Sequence, residues 1–402
     1  MKILILAPYM YDGVHKEFCR NKTGFGLLIP EIAMSVGAKE DVVLSTYMPT
    51  KGFTLSSDYG SCQVLKHSCF DFFRGITAKG IKLGMREVLT SGLTRNNRIH
   101  ELYYSINYGS IKRIIKKTNP DIVHVQDVSI PLIEACKDIN VPYLVTLHGL
   151  NALRDDVDPY LAEKERKFVI QAYLEHIPVT VISTGIKKRI ESKYLNGERA
   201  DNTFVVTNGT NVDRGKITSE KERKKIVTVI GSLCERKNQR QIIEAVKLMK
   251  SDFETYEFHL CGMDVLDGEL QKLTHEYELD NIICFRGFLT PVEIDDLLEC
   301  SILNIVASKD EGFGISIIEA FNHGVPTVTF ADLDVVEDVY SDKTMLLCNS
   351  RKTEEFAKRI KDALNREWDR EYIRQYSNQF SLQSMAEKYI DVYHKVIEGH
   401  QN

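Results

Sequence analysis

The 402-residue sequence has no apolar run approaching the about 20 residues that a membrane-spanning helix needs, so no segment reads as one. Its nine cysteines are odd in number and scattered. They form no Cys-x-x-Cys pair and no His/Cys metal spacing, which excludes a disulfide framework and a zinc ribbon and reads as reduced thiols in a cytosolic protein. Charge of one sign is also missing: the net charge is −5, which gives no global argument for nucleic acid. There is no P-loop and no repeat of 20–50 residues. The one early Gly-x-Gly, Gly24-Phe25-Gly26, does not directly follow a strand pattern, which disfavours a dinucleotide enzyme. The start, "MKILILAPYM", is too short an apolar run for a secretory signal core and reads as a first strand.

What is present is a globular composition, 43% hydrophobic and 27% charged, on a chain too long for one ordinary core. Apolar strand patterns alternate with helical ones. In the first half the strands are Lys2–Ala7, Val42–Thr46, Asp121–Gln126, Tyr143–His148, Val179–Ser183 and Phe204–Thr207. A polar stretch, "NGTNVDRGKITSEKERKK", interrupts at 208–225, and the rhythm restarts with Ile226–Ile230, Phe258–Cys261, Ile282–Phe285 and Ile302–Val306. This predicts an α/β protein of two doubly wound, Rossmann-like domains. The expected bounds are 1–213 for the first domain, 214–225 for a linker and 226–381 for the second. An amphipathic tail helix at 382–402 is expected to pack back on the first domain.

One stretch concentrates chemistry. "SKDEGFGISIIE" (Ser308–Glu319) follows the apolar strand "SILNIV" and leads into a helix that ends at His323-Gly324-Val325-Pro326. Glu311 falls at the carboxyl end of a strand and Glu319 on the helix beyond a glycine turn. That rim of a parallel sheet is where ligands bind, and backbone N–H groups at Gly312–Ile315 would face an anion there. "VTVIGSLCERKNQRQ" repeats the layout: strand, glycine turn, Arg236 and Lys237, helix. A cation pair at a helix start suits a diphosphate, although the segment read alone is a solvated basic turn.

With these residues in view, the second half resembles the family 4 retaining glycosyltransferases of the GT-B fold, in which two Rossmann-like domains face each other across a cleft. The carrying signature is the E-x7-E element, Glu311 to Glu319 within "EGFGISIIEAFNHGVPTV". "GSLCERKN" resembles the family's phosphate turn and "FRGFL" its base-binding strand end. The first half resembles the family more loosely, in "TGFG" (Thr23–Gly26), "DIVHVQD", "VTLHG" (Val145–Gly149) and "VVTNGTNVD".

The resemblance implies that Glu319 accepts hydrogen bonds from ribose hydroxyls and that Glu311 faces the transferred sugar. It implies that backbone N–H groups of Phe313, Gly314 and Ile315 meet phosphate and sugar oxygens beside Gly312. Ser232, Arg236 and Lys237 would form the phosphate turn, with Ser232 standing where the family carries arginine. Arg286, Gly287 and Phe288 would meet the base, Gly24, Phe25 and Gly26 the acceptor side, and His148 the sugar or anomeric region. Glu311, His148 and Lys237 are the expected catalytic residues. No metal and no cofactor are expected. The nucleotide-sugar, a UDP-sugar by family frequency, is a co-substrate, and the acceptor a glycan, lipid-linked or small-molecule hydroxyl. Asp332-Leu333-Asp334 matches a metal-binding D-x-D, but that device belongs to the other glycosyltransferase fold and is read here as chance. The alternatives kept open are a sugar-nucleotide 2-epimerase, which lacks the glycine-bounded E-x7-E, and a non-catalytic nucleotide-sugar-binding partner subunit.

Within this net-acidic chain the segment 66–117 is basic, with eleven Lys and Arg against three Asp and Glu, and apolar residues interleave with part of it. A peripheral contact with an anionic membrane and a solvated loop are equally good readings. The expected location is cytoplasmic, with that contact at the inner membrane face.

Overall fold

The computed structural model describes residues 1–11, 24–46, 56–65, 73–90, 102–103, 105–150, 157–212 and 223–401. It divides into two compact units. One comprises Met1–Ile182, Ile186–Val206 and Leu382–Asn402; the other comprises Ser183–Gly185 and Thr207–Ser381.

The first unit holds an eight-stranded sheet. Its strands are β1 (Lys2–Ala7), β2 (Asp41–Thr46), β3 (Ser56–Tyr59), β4 (Cys62–Leu65), β5 (Ile122–Gln126), β6 (Tyr143–Leu147), β7 (Val179–Val181) and β8 (Thr203–Val205). They run in the order β3-β4-β2-β1-β5-β6-β7-β8, and all pairings are parallel except the β3–β4 hairpin. The helices are α1 (Gly24–Gly37), α2 (Ala78–Thr90), α3 (Tyr108–Thr118), α4 (Ile130–Ile139), α5 (Pro159–Leu174) and α6 (Thr184–Lys193). Strand β1 is apolar without alternation because both its faces are covered: Ile3, Leu4, Ile5, Leu6 and Ala7 have no exposed surface. Helices α3 and α4 each stop at an asparagine, Asn119 and Asn140, in the left-handed conformation that this side chain tolerates.

The helix at Leu382–Gln401 also belongs to this unit. Met385, Tyr389, Val392 and Val396 recur at helical spacing and join one buried cluster with Ile3, Ile5, Ile29 and Leu144. The surface pair Lys39–Glu387, at 2.6 Å, adds little to that apolar seam because both side chains are widely exposed.

The second unit is a six-stranded, wholly parallel sheet of β9 (Ile226–Ile230), β10 (Glu257–Cys261), β11 (Ile283–Gly287), β12 (Ser301–Val306), β13 (Thr327–Phe330) and β14 (Met345–Cys348). The order is β11-β10-β9-β12-β13-β14. Its helices are α7 (Gln239–Leu248), α8 (Lys250–Phe253), α9 (Glu269–Glu276), α10 (Pro291–Cys300), α11 (Ile315–Asn322), α12 (Val336–Val339), α13 (Thr353–Asn365) and α14 (Arg370–Ser377). Helix α10 starts at a reciprocal capping box between Thr290 and Glu293 with proline at its first position, which fixes where β11's loop ends. Strand β9 pairs with β10 on one side and β12 on the other, so the chain reverses its direction of winding there. In the first unit β1, between β2 and β5, has the same place.

Residues 207–212 lie with the second unit, upstream of the rest of the polar stretch. The Thr210 N–H donates to the Phe380 carbonyl at 2.9 Å, and the Asn322 amide donates to the Thr210 hydroxyl at 2.9 Å. Residues 213–222, which include most of the expected linker, lie outside the described residues. The sequence reading named no strand at β3, β4 or β14, and gave no residue bounds for the helices at α4 and α6. The first two are short and polar, "SSDY" and "CQVL", and α6, "TGIKKRIESK", buries only Ile186 and Ile190.

Tyr389 is fully buried. Tyr389→Ala is expected to destabilise the protein by about 3–5 kcal/mol, the cost of an aromatic-sized cavity, read as a lower urea midpoint of the first unit's transition.

Candidate active site

In the second unit, the loops that leave β9, β10, β11 and β12 meet at one rim of the sheet. The Gly231 N–H donates to the Cys261 carbonyl at 2.8 Å, and the Gly262 N–H to the Gly287 carbonyl at 2.7 Å. These contacts demand glycine. Gly262 has φ +155°, and a Cβ there would sit 2.1 Å from the Gly231 carbonyl oxygen. Behind Gly231, the buried Gln239 at the start of α7 donates to the Ser232 carbonyl at 3.0 Å, so Ser232 is held through its backbone.

The stem of Lys237 lies over Gly231 and carries its ammonium to Glu311, with which it forms a short ion pair. Glu311 also accepts from the Ser308 hydroxyl at 3.1 Å, and Arg236 stands 3.9 Å away. The β9 and β12 loops are stitched by backbone as well. Arg236 donates to the Asp310 carbonyl at 3.0 Å, and the Lys309 N–H donates to the Arg236 carbonyl at 2.8 Å. Burial pushes the Glu311 carboxyl up, but the charges of Lys237 and Arg236 and the hydrogen bonds from Lys237 and Ser308 outweigh it and hold the group below its ordinary value. It is therefore an anion at neutral pH.

Gly314, at φ +65°, turns the chain into α11, whose first N–H groups have no acceptor within the helix. A Cβ at Gly314 would press on Glu311 Cγ at 3.2 Å. Phe313 is buried and packs edge-on to Phe380 at 6.2 Å, so only its backbone faces the loop. Glu319 sits, half-buried, in the next turn of α11. Gly312 and Ile315 are half-buried as well.

On the β11 loop, Gly287 has φ +65° and Phe288 is exposed. Arg286 turns to the sheet and donates to His259 Nδ1 at 3.3 Å. His259 Nε2 then carries the ring proton and donates to Glu257 at 2.9 Å. Glu257, His259 and Cys284 come within 4.8 Å of one another, the only such metal-sized group among the described residues. With Arg286 on Nδ1, the ring keeps no lone pair for a cation. Asp332 of the D-x-D is engaged on both oxygens by Arg351, at 3.0 and 2.6 Å. Arg351 in turn stacks on Phe330 and donates to the Ser308 carbonyl at 2.7 Å, bracing the Glu311 loop. A lone arginine after β14 carries no motif, and the sequence reading missed it.

In the first unit, Gly24, Phe25 and Gly26 open α1, and the Gly26 carbonyl accepts from the Tyr11 N–H at 2.9 Å. Thr23 lies outside the described residues. The Phe25 ring meets Tyr9 at 5.2 Å and His148, beyond the end of β6, at 4.9 Å, both edge-on. The structure thus brings together two residues singled out far apart in the sequence. Burial pushes the His148 imidazole down to about 4, so it is neutral at pH 7. Gln126, at the end of β5, accepts from its Nε2 at 2.6 Å. The sequence reading quoted Gln126 only as part of a strand.

Comparison with known proteins fits this geometry. The family model for glycosyl transferases group 1 matches residues 213–380, and that for glycosyltransferase family 4 matches 86–214. Among curated proteins, the putative glycosyltransferase EpsD of Bacillus subtilis is 25% identical over 130 residues, which is 32% of this chain and 34% of EpsD. The match therefore spans about a third of that relative's length. Among solved structures, a sucrose-phosphate synthase from Thermosynechococcus elongatus superposes with a TM-score of 0.72 at 15% identity, covering 99% of this chain and 100% of the other. HepE of Anabaena, solved in complex with UDP, superposes with a TM-score of 0.66 at 16% identity over 98% and 100% of the two chains. The chain belongs to the group 1, family 4-type glycosyltransferases of the GT-B fold.

The Glu311 carboxyl is held below its ordinary value of 4.5, so its contribution to stability is complete above that value and lost as pH falls through the lower folded value. Glu311→Gln is expected to lower the melting temperature at pH 7 and to reduce its dependence on pH below about 5, measured as Tm against pH.

Proposed function

We propose that the protein is a retaining glycosyltransferase that moves a sugar from a nucleotide-sugar, a UDP-sugar, to a hydroxyl of a glycan or lipid-linked acceptor. The observation that carries this reading is the cluster at the β9–β12 switch point: Lys237, Arg236 and Glu311 against two glycine turns and the N-terminus of α11. The UDP found with HepE supports the choice of base.

In this reading the departing nucleoside diphosphate is the main electrostatic problem, and Lys237, Arg236 and the N–H groups of Gly314 and Ile315 answer it. Those cations make the reaction independent of a divalent metal. Glu311, kept ionised, holds the sugar's hydroxyls and supports positive charge at the anomeric carbon. Glu319 takes the ribose diol with its two oxygens. The phosphate turn includes Ser232, and Gly287 and Phe288 flank the base. In the first unit, His148 would meet the sugar or anomeric region and Gly24–Gly26 the acceptor. A double displacement needs a carboxylate nucleophile beneath the sugar. The E-x7-E element supplies no obvious one, so attack comes from the leaving-group face and the departing phosphate takes the acceptor's proton.

Release of nucleoside diphosphate from a panel of UDP-, GDP- and ADP-sugars tests the reading. Release from a UDP-sugar is expected to survive EDTA and to fall by about tenfold or more in Glu319→Ala. The product's anomeric proton is expected to show retention by NMR, and inversion would overturn the front-face step. If no nucleotide-sugar even raises the melting temperature, the donor site has been misread.

A peripheral contact with an anionic membrane is a second element of the proposal. Helix α2 leaves Ile81, Met85 and Leu89 exposed beside Lys82 and Arg86, an apolar strip flanked by cations. The rest of the basic segment lies partly outside the described residues. No helix among the described residues is long and apolar enough to cross a membrane. Vesicles of anionic phospholipid are expected to co-sediment the protein at low salt and release it at high salt. Met85→Glu together with Leu89→Glu is expected to abolish this.

A further inference from the structure

The candidate catalytic histidine stands at one end of a buried polar chain. His148 Nε2 meets Gln126 Oε1 at 2.6 Å. The other end of the Gln126 amide, Nε2, lies 3.1 and 3.3 Å from the two ring nitrogens of His124. His124 has no exposed surface. Its Nδ1 faces the Tyr393 hydroxyl at 2.7 Å and its Nε2 the Thr146 hydroxyl at 2.6 Å, with Thr180 bonded to Thr146 in turn. Tyr393 comes from the tail helix and stacks on Tyr389, and both rings pack on His124.

Such a chain has a direction. Burial pushes His124 down to about 3, with the neighbouring His148 adding to the effect, and His148 down to about 4. Each ring is therefore neutral, with one N–H and one lone pair. Gln126 fills the gap between them with an acceptor at one end and a donor at the other. The Tyr393 and Thr146 hydroxyls take the two in-plane positions of His124, so the Gln126 NH2, near both ring nitrogens, lies over that ring's electron-rich face, and the carbonyl oxygen is left to His148, where it accepts only from a protonated Nε2. His148 Nδ1 is then a bare lone pair. It is buried, and no described residue donates to it. An imidazole with one nitrogen saturated and the other left open is prepared to accept a single hydrogen bond from elsewhere.

We propose that Gln126 is a positioning residue for His148: its amide, wedged between His148 and the His124–Tyr393 pair, keeps His148 in the Nε2–H tautomer with Nδ1 open as an acceptor. The tail helix, through Tyr393, sets the far end of the chain. The effect on turnover rests on the proposed glycosyl transfer, whereas the tautomer does not.

The test is long-range 1H–15N NMR of the uniformly 15N-labelled full chain at neutral pH, with the His148 ring signals assigned by their loss in His148→Asn. The wild type is expected to show a pyrrole-type Nε2 and a pyridine-type Nδ1. Gln126→Met, of similar length but without the amide, is expected to convert these to signals averaged between tautomers. It is expected to lower kcat by about tenfold to a hundredfold with the donor KM within about twofold, since the ring stays in place but loses its orientation. Tyr393→Phe is expected to move the same signals part of the way. A wild-type His148 protonated on Nδ1 overturns the proposal, as does a folded Gln126→Met with unchanged ring signals. Should Gln126→Met not fold, the wild-type tautomer still decides. Absence of turnover with every donor would count against the glycosyl-transfer reading alone, because the ring signals are read without substrate.

Discussion

A strand bonded in parallel to β10 on one side and to β12 on the other sends its neighbours' connecting helices to opposite faces of the sheet. No helix then closes over its carboxyl end. The gap beyond β9 follows from this pairing, and the chemistry of the second unit is arranged around it. Only glycine fits where Gly262 touches Gly231, so neighbouring loops close to backbone contact. Lys237 can then lie flat over the turn and reach a carboxylate carried by the next loop. Arg351, stacked on Phe330, holds the Ser308 carbonyl from behind. Each of these contacts presupposes the strand order.

The two units treat buried titratable groups in opposite ways. Glu311 is buried among cations and stays charged, because nearby positive charge and donated hydrogen bonds exceed the cost of desolvation. His148 sits half-buried between an aromatic ring and an amide, and stays neutral because desolvation penalises its cation. The second unit thus presents a fixed charge and the first a neutral imidazole.

Much of this was legible in sequence because it is local. The alternation of apolar runs with helical patterns yields the two sheets and their parallel strands, and strand Ile226–Ile230 is found as read. The turn and helix around Glu311 follow from glycines and an apolar period within a dozen residues. What escaped depends on contacts between distant segments. Arg351 acts on a loop more than forty residues away. Gln126 acquires meaning only when β5, β6 and the tail helix are assembled around His124. Arg286, expected at the base, is tied to His259 by a cross-strand contact that periodicity does not reveal. The β3–β4 hairpin has too few apolar residues to declare itself.

The tail helix gives the chain an order of events during synthesis. Leu382–Gln401 is made after the whole second unit, yet it fills part of the first unit's core beside β1 and α1. Until it emerges from the ribosome, the cluster that holds Ile3, Ile5 and Ile29 lacks the tail-helix face that completes it. The second unit, whose segments lie almost entirely in one continuous stretch, can complete itself earlier. The domain translated first is therefore the one finished last, and a nascent chain carries an open hydrophobic face throughout the making of the second unit. Such a face is a natural ligand for a holdase chaperone.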